Sequence, residues 1–252
     1  MSRTTRIEIA ENPAKKLLKW KSSEGSFQYW DKTLEQNVTV DLPFKFAILE
    51  EKYVSFNGFD EESNTAIWSN EVKDANEMVI VKSGESILGE FKKSEWKNVK
   101  DSPAFKSANY TQILYAAANF GSGWEICRIM LNKSALTGGI LKDKKTGVTF
   151  PGQETDGWIN FMNNLSKAKG RQAIYDNFII VNGSKSKKNG AVNFTVPEFD
   201  YEAMDQEQNE EFNALAIKVD DYFLNRVISK EITSNPEKVE TKEASYNEEL
   251  PF

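Results

Sequence analysis

The chain has 252 residues, 39% apolar and 12% aromatic, enough to bury the core of one large β domain with appendages or of two small domains. It has no histidine and one cysteine, Cys127. That excludes zinc sites built on His or several Cys, a His-containing triad, a histidine base and a disulfide framework, and it points to a reducing cytoplasm. The net charge of -6 is unevenly divided: residues 1–199 carry 27 Lys and Arg against 24 Asp and Glu, while residues 200–252 carry 5 against 14. No apolar run approaches the roughly 20 residues of a membrane span, and residues 1–11 lack the apolar stretch of a signal peptide, so no membrane partner is expected.

In chain order, residues 26–30, 44–49, 53–59, 78–81, 110–118 and 124–131 are rich in β-branched and aromatic residues between Gly, Asn and Asp turns. They predict strands of a barrel or sandwich. A short turn of helix is expected over 134–140, and a helix over 156–165, where Trp158, Phe161, Met162 and Leu165 recur at helical spacing. Residues 174–181 and 192–196 predict a hairpin. Its link, 182–190, has turn formers at both ends and reads as a long flexible basic tip carrying Lys185, Lys187 and Lys188.

The long helix is C-terminal. From Asp205 to about Ser229 the residues Phe212, Leu215, Ala216, Val219, Tyr222, Phe223 and Val227 recur at three- and four-residue steps. Asp205 with Gln208 forms a capping-box pattern. This helix is expected to pack onto the barrel or against a partner subunit. Beyond Ile232 the periodicity stops, and the Ser, Thr, Glu, Lys and Asn composition around Pro236 predicts a disordered acidic tail. The expected organisation is a body over 1–199, the helix within 200–229 and the tail over 230–252.

Two features carry chemistry. The segment 15–30 interleaves Lys15, Lys16, Lys19, Trp20, Lys21, Phe27, Tyr29 and Trp30. Cations for phosphates beside flat rings for bases are what a single-strand groove needs. With 26–30 as a strand, Phe27 and Tyr29 share one face and offer a stacking platform; any one of these rings taken singly reads as barrel core, and it is the Trp20, Phe27 and Tyr29 group beside the lysines that reads as DNA contact. The second feature is the ending Glu248-Glu249-Leu250-Pro251-Phe252. Its terminal ring, free carboxylate and acidic pair are three handles for a partner protein.

That ending resembles the acidic, Pro-Phe-terminated tip of bacterial single-stranded DNA-binding proteins. The body segments Lys19-Trp20-Lys21, Phe27-Gln28-Tyr29-Trp30, Leu42-Pro43-Phe44, Trp68-Ser69-Asn70-Glu71-Val72 and Gly157-Trp158-Ile159-Asn160-Phe161 resemble, in that order, phage-encoded single-stranded DNA-binding proteins. The resemblance departs at the Lys- and Gly-rich stretch 138–152. It implies a mainly β chain whose core is an OB-fold, a five-stranded Greek-key barrel with extra strands and hairpins, one short body helix, the long C-terminal helix and the tail. It further implies a non-catalytic, cofactor-free replication and recombination protein of the bacterial host cytoplasm. Such a protein coats single-stranded DNA, and RNA where stacking alone decides. The tail would recruit replication or recombination proteins and compete with DNA for the groove. Trp68, Asn70 and Lys73 join the DNA-binding set on this resemblance.

Two other readings remain at this stage. Glu50-Glu51 and Asp60-Glu61-Glu62 suit a metal nuclease, although acidic runs are usually solvated surface. A non-catalytic adaptor or virion component binding protein or glycan explains the aromatics and the tail, but not the interleaved lysines. The oligomeric state is left open.

Overall fold

A computed structural model describes residues 11–139 and 156–234, with side chains up to Asn225. Eleven strands form one mixed sheet: β1 (Lys16–Lys21), β2 (Ser26–Asp31), β3 (Gln36–Thr39), β4 (Phe44–Asp60), β5 (Thr65–Ser69), β6 (Met78–Ser83), β7 (Ser86–Lys92), β8 (Ala108–Asn119), β9 (Trp124–Asn132), β10 (Asn177–Asn189) and β11 (Val192–Ala203). The order is β3-β2-β1-β9-β8-β4-β5-β6-β7, and the β10–β11 hairpin joins through β10 to the N-terminal half of β4. The β1–β9 pair is parallel; the remaining ladders are antiparallel. The sheet is not closed. What the ladder shows is the coarser expectation, a mainly β chain with a C-terminal helix.

Alternation along the strands divides the sheet into two faces. Leu18, Phe27, Phe46, Ile48, Leu114, Ile129 and Leu131 point to one core. It is sealed by the short helix α2 (Lys133–Thr137) and by α3 (Trp158–Lys169), which insert Leu136, Trp158 and Leu165. The opposite face, with Leu17, Ala47, Leu49, Tyr53, Ile113, Tyr115, Ile126 and Met130, lies under the C-terminal helix. A third core fills the β5–β7 extension with Val54, Phe56, Val79, Val81, Phe91 and Phe105, and with Trp96 from the single turn α1 (Trp96–Val99).

The C-terminal helix, α4 (Gln206–Ser234), starts as its sequence dictates. Gln208 N–H donates to Asp205 Oδ1 (2.8 Å), and Asp205 N–H donates to Gln208 Oε1 (3.0 Å), a reciprocal capping box. Phe212 meets Trp124 and Phe178, and Phe223 stacks on Tyr53 with ring centroids 3.8 Å apart, so α4 docks on its own sheet.

Three expectations are corrected. β4 is one strand where two were expected. β10 and β11 run through the supposed basic loop to a turn at Gly190, so Lys185, Lys187 and Lys188 are strand residues rather than a flexible tip. β11 continues to Ala203, which moves the end of the body past residue 199. The tail beyond Ser234 and most of the 138–152 stretch lie outside the described residues.

Candidate nucleic-acid interface

The ends of β1 and β9, the start of β8 and the end of β4 leave a cleft of about 730 Å³ that α4 does not fill. It is lined by Met130, Asn132, Asn109 and Asn57, by Lys19, Trp20 and Phe59, and by Lys106 and Lys133. Ser22, in the β1–β2 turn, belongs both to this cleft and to a second one of about 450 Å³ lined by Lys187, Lys188, Phe194 and Thr195. Trp20 sits at the junction, where its indole N–H donates to the Thr195 carbonyl (3.2 Å), and Thr195 N–H donates to the Ser22 carbonyl (2.8 Å). The two clefts therefore meet at Ser22 and together carry amines and rings from the β10–β11 tip to β4.

The electrostatics of this path are mixed. Among the described residues Lys19, Lys21, Lys133 and Lys188 have no ion-pair partner. Asp60, Glu61 and Glu62 border the main cleft from the β4–β5 turn, and Lys106 lies 3.6 Å from Glu62. The Ser63 hydroxyl hydrogen bond holds the Asp60 carboxyl below its ordinary range, so it stays anionic there.

The expected site residues divide. Lys19, Trp20 and Lys188 line the path, and Lys21 is exposed beside it at the end of β1. Lys15 is exposed just before β1. Phe27 is 0% exposed and packs edge-on to Trp20, so it is core and no stacking platform for bases. Tyr29 faces another cleft, of about 510 Å³, with Phe120 and Trp124; the structure does not bring it to Trp20. Lys16 is taken by Glu125 at 2.7 Å and lies over the Phe120 ring. Lys185 and Lys187 both meet Asp156.

Trp68 is exposed, with Lys82 Nζ 5.3 Å from its ring centroid. Asn70 instead clamps its loop, donating to the Met78 carbonyl and accepting from Ile80 N–H. Lys73 is 2.6 Å from Glu50. Burial alone would raise the Glu50 carboxyl, but Lys73 and the N–H groups of Lys52 and Glu51 hold it below its ordinary value. Burial pushes the neighbouring Glu51 up. Phe59, which like Tyr53 and Phe56 reads in the sequence equally as core or groove, lines the cleft, whereas Phe56 is core; Asn57, Lys106, Asn109, Lys133 and Phe194 belong to the clefts without having been singled out.

Arg128 and Glu71 (2.6 Å) fix the β5–β6 connection to the sheet, and Tyr115 donates its hydroxyl to the same carboxylate (2.7 Å). Burial drives the Cys127 thiol far up, which leaves it un-ionised at neutral pH. Among the described residues no three His, Cys, Asp or Glu side chains converge on a metal position, and no helix is long and apolar enough to cross a membrane. The partner-binding residues Glu248, Glu249, Leu250, Pro251 and Phe252 lie outside the described residues.

No family model, curated protein or solved structure matches this chain.

Proposed function

We propose that this chain binds single-stranded nucleic acid along the path from Lys188 and Phe194, past Trp20 and Lys19, to Asn57 and Phe59. It would be a non-catalytic, phage-type replication and recombination protein whose C-terminal segment recruits other proteins. The observation that carries the reading is Trp20 at the junction of two clefts, flanked by Lys19, Lys21 and Lys188, none of them in an ion pair among the described residues. Amines that lack acidic partners can exchange counterions for phosphates, and a half-exposed indole beside them gives bases a surface to stack on. The polar Asn57, Asn109 and Asn132 that line the cleft suit an irregular single strand.

The finer fold assignment belongs to the same reading. An OB-fold is a partly open Greek-key barrel. The mixed ladder with its one parallel pair supports it. So does the Thr195–Ser22 hydrogen bond, which brings β11 back to the β1–β2 turn.

The test is tryptophan fluorescence during titration with oligo-dT, set against a duplex of equal length, at low and then high salt. Quenching by the single strand alone, weakening with salt, is the expected result. No response to either nucleic acid overturns the reading and favours an adaptor that binds protein.

A further inference from the structure

The main cleft does not end at β4. Asn57 and Phe59 share the face of β4 that lines the cleft, and the β4–β5 ladder pairs Gly58 with Ile67 and Phe59 with Ala66. One step further in that register sets Asn57 opposite Trp68. Trp68 then pairs with Lys82, and Lys82 with Ile87. One cross-strand row therefore runs Asn109, Asn57, Trp68, Lys82, Ile87 over β8, β4, β5, β6 and β7, on a single face of the sheet. The other face of these strands holds Phe56, Ile67, Val79, Val81 and Phe91 and is fully used as core.

Large apolar groups are exposed on this face: Trp68 (44%) and Ile87 (57%) in the row and Phe59 (51%) beside it. Apolar groups this large on one uncovered face mark a binding surface. Phe59 and Trp68 are diagonal neighbours on adjacent strands, within reach of two consecutive stacked bases. Lys82 over the Trp68 ring supplies a cation beside them. Strands about 4.8 Å apart extend the path by roughly 14 Å beyond β4.

Resting on the reading of the cleft given above, we propose that the outer face of β5–β7 is a second segment of the single-strand site. Phe59 and Trp68 stack successive bases there, and Lys82 meets the intervening phosphate. The occupant is the same strand leaving the cleft, because Asn57 and Phe59 belong to both surfaces.

The experiment compares an oligo-dT of about 5 nucleotides with one of about 16, a range that single-strand sites span. The full chain is titrated alongside the double variant Trp68→Ala/Ile87→Ala, which leaves the cleft residue Phe59 in place, and the single variant Trp68→Phe. The unaltered chain should bind the longer strand more tightly. The double variant should bind it roughly tenfold to a hundredfold more weakly, yet hold the short strand within about twofold. Trp68→Phe should retain most of the affinity for the long strand, since a ring remains. Both truncated side chains are exposed, and an unchanged melting temperature verifies the fold. Full affinity of the double variant for the long strand overturns the extension, leaves the cleft standing and assigns this face to a protein partner. Failure of the unaltered chain to bind either length overturns the cleft reading, and the extension with it.

Discussion

The Lys187 ammonium lies 2.7 Å from Asp156 Oδ2, and the same nitrogen donates to the Gly138 carbonyl at 2.7 Å. Gly138 and Asp156 flank the undescribed stretch 140–155, so one lysine ties both ends of it to β10. The Lys187 side chain is only 7% exposed. Removing one partner of a pair this sheltered leaves a carboxylate and a carbonyl short of a donor. Lys187→Met should lower stability by about 2–3 kcal/mol in urea denaturation, whereas Lys188→Met, one residue away and exposed, should change it by less than about 0.5 kcal/mol. The order should invert for DNA: Lys188→Met weakens binding and Lys187→Met leaves the folded protein's affinity nearly intact.

A similar contrast separates Phe27 from Trp20. Phe27 fills the core between Trp20 and Phe44, so Phe27→Ala should cost about 3–5 kcal/mol, with little change in affinity for the molecules that remain folded. Trp20→Phe keeps a ring and loses the hydrogen bond to Thr195, worth about 1 kcal/mol. It should also remove a large part of the fluorescence quench on oligo-dT. A quench as large as that of the unaltered chain would place the reporting tryptophan elsewhere.

The Glu50–Lys73 pair gives a pH signature. Glu50 titrates below its ordinary 4.5 in the folded chain, so its contribution is complete above that value and is lost as pH falls through the lower folded value. Lys73→Met removes the side-chain bond and the charge that help offset burial, and Glu50 should then titrate higher than in the unaltered chain. The variant should be less stable than the unaltered chain at pH 7, by about 1–2 kcal/mol for a partly exposed pair. The gap should narrow as pH falls through the lowered Glu50 value, below which the carboxyl is protonated in both. A gap that does not narrow across that titration would contradict the assignment.

The same pair explains part of what the sequence hides. Glu50, Glu51 and Lys52 interrupt the apolar pattern of β4, so the strand reads as two. The ladder in fact shifts register on either side of Glu50 and keeps going, and the irregularity turns Glu50 towards Lys73. In β10 the run Gly183-Ser-Lys-Ser-Lys-Lys188 has turn composition, yet β11 pairs with it residue by residue to Val192. A cross-strand ladder outweighed local propensity there. β1, β3, β5 and β7 were missed for a related reason: Lys16-Leu-Leu-Lys-Trp-Lys21 buries only Leu18 completely, so its alternation is weak. By contrast, the α4 cap and the α3 helix were legible because capping and helical spacing are local. Of the interface, the Lys19-Trp20-Lys21 cluster was legible from interleaving alone. Asn57, Lys106, Lys133 and Phe194 were not, since only the sheet register brings β4, α2 and β11 beside β1.

Salt dependence separates lysines that are free to meet phosphate from those already paired. Each phosphate neutralised on a single strand contributes about -0.7 to the slope of log K against log salt. Lys19→Ala, Lys21→Ala, Lys133→Ala and Lys188→Ala should each flatten that slope by up to about 0.7 and weaken binding most at low salt. Lys16→Ala should leave it unchanged, because Glu125 already neutralises that amine at 2.7 Å. The acids of the β4–β5 turn act in the opposite sense. Glu61→Gln/Glu62→Gln removes two negative charges from the border of the main cleft and frees Lys106 from its 3.6 Å contact. Affinity should rise by up to about tenfold at low salt, and the gain should fade near 1 M, where the screening length is about 3 Å. Equal slopes for Lys19→Ala and Lys16→Ala would mean that the strand does not follow the path past Trp20.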